Sequence, residues 1–534
     1  MSGPERADVV VIGAGPAGGA LSLRLAEHGA KVVCLEQGGW VRPDEFPSRA
    51  RDYETSVTRG PFSFFPNLRR RWEDYPVTTD GLRPDQVLMF NGVGGSTVHW
   101  EGHFPRFHPS DFRVRALDGV ADDWPIAYAD LEPYYDQNDR LMGVSGLAGD
   151  PANPPRSARP TPPLPLRARE RALVRGFEAL GWHWWPADNA VISRDYDGRQ
   201  GCDLRGRCNF GCARRARGSA DVVYWPRALQ HGATLKTGAR VREITVDDTG
   251  RVRGVVYVDR QGAVQEQPGR VVVVCGNAIG TARLLLASRS NRFPHGLANT
   301  SGAVGRNYMV HPSRWVEGVF PDRLDGHRGI TSSPIFSQQF YETDTRRGFV
   351  RGYSLVAYGP LGPLSQAWGD IEPVPWGAGH HADMRRRFGH TMGLAVMAED
   401  LPEEHNRVEL DPSVTDRSGI PAPRVTYRFS ENTRRMLEHG VQAARQVLEA
   451  AGAHTVRATE QPNVFAHLMG TARMGRDPRT SVVDGWHRAH DVPNLFVVDG
   501  SSFTTCAAVN PTSTIGALAL RAADGIWERR RDWR

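Results

Sequence analysis

Gly13, Gly15 and Gly18 form a G-x-G-x-x-G turn. Backbone N–H groups at the start of a helix reach a pyrophosphate only where side chains are missing, and these three positions meet that condition. Glu36 closes the next strand-like run, where a carboxylate can take ribose hydroxyls. Together these residues predict a dinucleotide site, and the spacing alone leaves FAD and NAD both open. A second glycine-rich run, NGVGGSTVHW at 91–100, places Gly92, Gly94 and Gly95 where backbone can pass close to a flat ligand, directly before Ser96, Thr97 and His99. Proton removal near neutral pH is histidine chemistry, but most of the 18 histidines stand in no distinctive context. His467 does, because it opens HLMGTARMG; Asn510 follows in VNPTSTIG, after LFVVDGSSF with its Asp499 and Gly500. Cys202, Cys208 and Cys212 crowd one loop, DGRQGCDLRGRCNFGC, in which Gly206 and Gly211 let the backbone bend. Thiolates at such spacing suit an iron–sulfur cluster or zinc, and a disulfide or free structural thiols stay open beside them. Cys34, Cys275 and Cys506 read as buried structural residues beside strands.

The elements that must hold these residues are legible in the apolar patterning. ADVVVI at 7–12 is a continuous run suited to a strand buried on both faces of a parallel sheet. The glycine turn, a helix ending at Gly29 and the strand KVVCLEQ complete a βαβ unit. RVVVVCG at 270–276 before the helical IGTARLLLAS, and NLFVVDGS at 494–501 before TIGALALRAADGI, add distant strands to the same sheet. Residues 240–262 read as a hairpin with Val241 in its first strand, and the proline-rich stretch 151–165 reads as an extended surface connector. Residues 330–430 change texture and predict an antiparallel sheet in a second domain, followed by the helix ENTRRMLEHGVQAARQVLEAAGA. Within 355–390 an irregular Gly/Pro-rich stretch carries Trp368, Trp376, His380 and His381, whose flat faces suit packing against sugar or phenolic rings. The fold expected is α/β, a Rossmann-like nucleotide domain with a second α+β substrate domain built on an antiparallel sheet. The cofactor-binding segments are 1–50, 86–120, 200–320 and 460–534, with 121–199 as connecting and covering chain and 321–459 as the substrate domain.

Composition narrows the class. The 534 residues carry 66 Lys+Arg against 60 Asp+Glu, a net charge of +6. A surplus so small on so long a chain argues against a nucleic-acid or polybasic membrane surface. With 40% hydrophobic and 24% charged residues, no apolar run of spanning length and no basic-then-apolar leader in MSGPERADVV, the chain is expected to be cytoplasmic and without a membrane span.

Taken together, the N-terminal fingerprint, GVGGSTVHW, DWPIAYADLEPYY at 123–135, GNAIGTARLLLAS at 276–288, VGRNYMVHP at 304–312 and the 464–526 block resemble the glucose-methanol-choline (GMC) family of FAD oxidoreductases. The His-Trp pair at 99–100 and the Asn-Pro pair at 510–511 are similar to its sugar-oxidising branch, which includes pyranose oxidases and bacterial sugar dehydrogenase large subunits. The resemblance implies FAD as cofactor and oxidation of a CH–OH group of a sugar, glycoside or polyol by hydride transfer to flavin N5, with O2 or another redox acceptor. It implies His467 as the base and Asn510 as the residue that orients the alkoxide. Asn510 cannot titrate, so proton removal falls on His467. Asp499 and Gly500 are implied flavin contacts, Gly94, Gly95 and Ser96 are expected to line the same cofactor, and the Val241 backbone resembles the family position that holds adenine. His99 matches a histidine that pyranose oxidases join covalently to the flavin, but Val98 interrupts their Ser-Thr-His-Trp run, so covalent and noncovalent packing both stay open. Related sugar dehydrogenases hold an iron–sulfur cluster at a loop like Cys202–Cys212, and a flavin electron-transfer subunit in a larger complex is the rival reading. An NAD-linked dehydrogenase is a third. No further metal is assigned.

Overall fold

The computed structural model describes residues 5–56, 63, 66–69, 71–331, 334–369 and 371–533; the first four residues of the expected cofactor-binding segments lie outside these. The β-branched run at the N-terminus forms strand β1 (Ala7–Ile12), and the turn that follows leads into helix α1 (Pro16–Glu27) and strand β2 (Val32–Glu36). Pro16 at the first helical turn sets φ without losing a needed N–H, and Gly29, at φ +88°, ends the helical segment. Side chains alternate between two cores. Val9, Val11, Val32 and Cys34 face α1, helix α2 (Ala220–Gln230) and the C-terminal helix, while Val10, Ile12, Val33 and Leu35 face the opposite layer. A strand buried on both faces has no solvent side, which is why the sequence reads as unbroken apolar residues rather than an alternation.

β2, β1 and the C-terminal half of strand β6 (Val264–Val274) run parallel, with strand β3 (Thr234–Thr237) at one edge and the short Leu495–Val497 strand against β6. The predicted hairpin is present as strands β4 (Arg240–Val246) and β5 (Val252–Val258), turning at Asp247–Gly250, and β5 pairs antiparallel with the first half of β6. Helix α3 (Asn277–Ala287) follows β6. The NLFVVDGS strand is shorter than its apolar run suggests, because Asp499 bends the chain into a 3-10 turn at Gly500–Ser502.

A second seven-stranded sheet is antiparallel throughout. Strand β7 (Met309–Val319) pairs with β10 (Thr391–Ala398), then β9 (Tyr353–Tyr358), β8 (Ile335–Phe340) and the two-residue Trp185–Pro186 strand follow; β11 (Thr455–Ala458) and β12 (Asn463–Met469) succeed one another along the other side of β7. Thus β7 and β12, grouped with the cofactor-binding segments in the sequence reading, hydrogen-bond in the second sheet. Helix α4 (Glu431–Ala450) is capped by Ser430, whose Oγ accepts from Thr433 N at 3.1 Å, and buries Met436, Leu437, Val441, Val447 and Leu448 against Val316, Leu355, Leu394 and Val396. Each such side chain contributes roughly 1.5–3 kcal/mol on burial.

Two further sequence expectations change. Arg407–Thr415 and Pro421–Thr426, expected in the large antiparallel sheet, form a separate small sheet with Thr78–Asp80 and pack on α3. Buried Asp416 provides the reason: it pairs with Arg240 and Arg283, which draws this segment toward the nucleotide side. The irregular 355–390 stretch contains two short helices, Pro363–Trp368 and His380–Arg387. C-terminal helix α5 (Thr512–Glu528) packs on α1. No helix among the described residues is long and apolar enough to cross a membrane.

Candidate active site

The three fingerprint glycines stand there for three different physical reasons. Gly13 has φ +103°, and a Cβ on it would lie 2.4 Å from Cys275 O; a Cβ on Gly18 would lie 2.0 Å from Gly13 O. Turn geometry and helix-to-strand packing therefore require both. At Gly15 a Cβ would meet, among the described residues, only Gly95 Cα at 3.9 Å, so none of them demands glycine there. What Gly15 keeps open is the space over the α1 N-terminus, where the first-turn N–H groups and the helix dipole favour a pyrophosphate. The Glu36 carboxylate closes this end of the sheet, accepting from Ala14 N and Gly38 N at 2.9 Å each, and burial raises its pKa. Ala239 N donates to the main-chain O of Glu36, so β4, with partly buried Val241, begins beside the same residue.

The second glycine run lies directly on the first. Gly94 N donates to Ala14 O at 2.9 Å, and a Cβ on Gly95 would lie 2.9 Å from Gly15 Cα. Gly94 (φ +101°) and Gly95 (φ +54°) lead into a 3-10 turn in which Ser96 Oγ accepts from Phe90 N. His99 is buried edge-on to Phe90, and its Nδ1 donates to Asn209 O at 3.1 Å; burial lowers its pKa to about 3, so the ring is neutral. Asp499, implied as a flavin contact, spends its carboxylate on Ser501 N and Thr281 Oγ1. Gly500 O accepts from Gly470 N, and a Cβ on Gly500 would strike Leu468 O at 2.5 Å. This pair ties the turn to the end of β12. The open space at Gly15, the carboxylate at the end of β2 and the two interlocked glycine loops fit FAD.

His467 and Asn510 converge. Asn510 Nδ2 stands 3.2 Å from His467 Nε2, and both side chains are partly accessible. His467 is on β12, where Phe465 pairs with His311 of β7, so the alternation of side chains puts His311, Trp315, Phe465 and His467 on the sheet face turned away from α4. Phe465 stacks on His467 at 5.8 Å, and Trp315 packs against Phe465 at 5.5 Å. Asn510 comes from the other side, on the segment that enters α5. Burial, then the neighbouring His311 and His103, hold the His467 pKa well below the usual imidazole range.

Two residues that sequence reasoning missed complete the site. His311 Nδ1 lies 2.7 Å from His467 Nδ1, and its Nε2 reaches Ala507 O at 2.9 Å and Cys506 O at 3.3 Å. His103 Nδ1 lies 2.8 Å from Asn510 Oδ1. Both rings are buried, which lowers their pKa values to about 4. The only signals were their places in EGHF and VGRNYMVHP. By contrast, the tryptophans of the 355–390 stretch lie at the surface: Trp376 is 82% exposed and stacks on His380, and Trp368 is 51% exposed. Cys202, Cys208 and Cys212 are free thiols; Cys202 and Cys208 pack beside Leu164, Val191 and Ile330, and burial pushes Cys202 up to about 12. Among the described residues no group of three or more His, Cys, Asp or Glu side chains is placed to hold a metal ion.

Comparison with known proteins identifies the family. Residues 85–313 and 402–519 match the two halves of the GMC oxidoreductase family, and residues 8–43 match an FAD binding domain. The chain is 43% identical to 2-methyl-1,2-propanediol dehydrogenase of Mycolicibacterium austroafricanum, over 98% of this chain and 96% of that protein. It is 30% identical to the fructose dehydrogenase large subunit of Gluconobacter japonicus, over 97% of each. A formate oxidase from Aspergillus oryzae shares the fold at a TM-score of 0.67 and 16% identity, with both chains covered in full. The chain belongs to the GMC oxidoreductases and is an FAD-dependent enzyme of alcohol oxidation.

Proposed function

We propose that the protein oxidises a CH–OH group of a polyol or sugar-like substrate to the carbonyl, with O2 or another external acceptor taking up the electrons. The observation that carries this reading is the pair His467 Nε2 and Asn510 Nδ2, 3.2 Å apart and partly accessible. A hydroxyl oxygen about 2.8 Å from each would donate its proton to His467 and accept a hydrogen bond from Asn510. FAD, when bound, supplies the acceptor for the carbinol hydride. The residues proposed to hold it are Gly13, Gly15, Gly18 and Glu36 at the dinucleotide end, with Val241, Gly94, Gly95, Ser96, His99, Asp499 and Gly500 along the rest. On this reading 1–50, 86–120, 200–320 and 460–534 hold the cofactor and 321–459 the substrate, except that β7 and β12 belong to the antiparallel sheet and 407–426 packs on the nucleotide side.

Relatives named for a diol and for a sugar support a hydroxyl-rich substrate, and Phe465, stacked on His467 with Trp315 against it, gives the base an aromatic neighbour. The test is a panel of diols, polyols and sugars added anaerobically to the flavoprotein. Loss of the oxidised flavin absorbance with at least one of them is expected; a flavin that none of them bleaches contradicts the reading. The His99 ring, fixed by Phe90 and Asn209, is proposed to pack the flavin without a covalent bond. Acid-precipitated protein is then expected to be colourless, and a yellow pellet would reverse that assignment.

A further inference from the structure

We infer that His311 is a positioning residue that fixes which nitrogen of His467 acts as the base. The inference deepens the proposed function and rests on it. The hydrogen bonds admit one assignment for neutral rings. Backbone carbonyls only accept, so the proton on His311 sits on Nε2, facing Ala507 O at 2.9 Å and Cys506 O at 3.3 Å. A neutral His311 therefore presents a lone pair at Nδ1, and His467 Nδ1, at 2.7 Å, must be the donor. Neutral His467 is left with its lone pair on Nε2. That nitrogen meets the Nδ2 group of Asn510 at 3.2 Å, and Asn510 Oδ1 accepts from His103 Nδ1 at 2.8 Å. The opposite direction of the chain would need His311 protonated on both nitrogens in a site with no solvent exposure, where the charged form is disfavoured.

The anchor is built into the backbone. Ala507 has φ +58°, a left-handed conformation that is unfavourable for a residue with a Cβ. With this turn, the carbonyls of residues 506 and 507 both reach the His311 ring, while Ala508 O accepts from Ser354 Oγ at 2.8 Å. His311 Nδ1 goes on accepting from His467 Nδ1 after Nε2 has taken the hydroxyl proton, so the resulting imidazolium keeps its partner.

The test uses the holoenzyme and two variants. His311→Leu removes the acceptor. His311→Gln keeps one, because its amide can donate to the 506/507 carbonyls while its oxygen accepts from His467 Nδ1. In 15N-histidine NMR spectra of the oxidised flavoprotein, His467 is expected to carry its proton on Nδ1 in the wild type and in His311→Gln, and to shift toward the Nε2-protonated tautomer in His311→Leu. Anaerobic flavin reduction is expected to fall at least tenfold in His311→Leu and to stay within about threefold of wild type in His311→Gln, with substrate affinity little changed. An Nε2-protonated His467 in the wild type overturns the inference, as do equal losses of rate in the two variants at equal flavin content. If no alcohol bleaches the wild-type flavin, the proposed function fails, and the NMR result still decides the inference.

Discussion

At the scale of single residues, the site depends on a histidine kept neutral. Its pKa is lowered chiefly by burial, so the base form persists as pH falls through the ordinary imidazole range near 6.5. The rate of anaerobic flavin reduction is expected to stay flat from pH 8 to below 6, with its acid limb well under 6.5; an inflection at 6.5 or above would show an imidazole in water-like surroundings. The same shift costs stability in acid, because an unfolded chain binds a proton at this ring below about pH 6.5 and the folded chain does not. Asn510 has a separate duty. Asn510→Ala leaves His467 in place but removes the donor to the substrate oxygen, and a fall of tenfold to a thousandfold in the reduction rate with flavin retained is expected from the loss of one such hydrogen bond. A rate near wild type would separate Asn510 from the chemistry. Ala507→Gly is expected to change thermal stability by less than about 1 kcal/mol, since relief of the left-handed strain offsets the freer unfolded chain.

At the scale of elements, the fingerprint glycines separate folding from cofactor binding. Gly15→Val adds a side chain to open space and is expected to yield folded protein with little flavin, by circular dichroism and the flavin spectrum. Gly18→Val drives a side chain into Gly13 O and is expected to lose soluble protein; equal flavin loss with normal folding in both variants would contradict the distinction. Gly440 in α4 makes a similar contact, since a Cβ there would lie 2.4 Å from Val396 Cγ1. Local pattern made much of this legible: β1, α1, β2, the β4–β5 hairpin and α4 each announce themselves by periodicity and turn residues. His311 and His103 did not, because their partners lie 156 and 407 residues away in sequence and become neighbours only through strand pairing and the approach of the segment before α5. The separate small sheet was missed for a related reason. Nothing local in the sequence links Asp416 to Arg240 and Arg283, which lie 176 and 133 residues away, and only the assembled chain shows them buried together.

At the scale of the whole molecule, the site belongs to neither sheet alone. The parallel sheet supplies both glycine loops' footing, the antiparallel sheet supplies His467 and His311, and Asn510 arrives on the chain entering α5. Cofactor binding across such a junction stabilises the folded state by mass action, about 4 kcal/mol when free FAD exceeds its Kd a thousandfold. Removal of FAD is expected to lower the thermal midpoint by several degrees, and added FAD to restore it; an unchanged midpoint would place the cofactor elsewhere. The convergence of His467 and Asn510 on one hydroxyl is tested most directly by stopped-flow reduction of the flavin under anaerobic conditions, in wild type and His467→Ala at matched flavin content. Loss of this base is expected to slow reduction at least about a hundredfold, whereas a variant reduced as fast as the wild type would contradict the account.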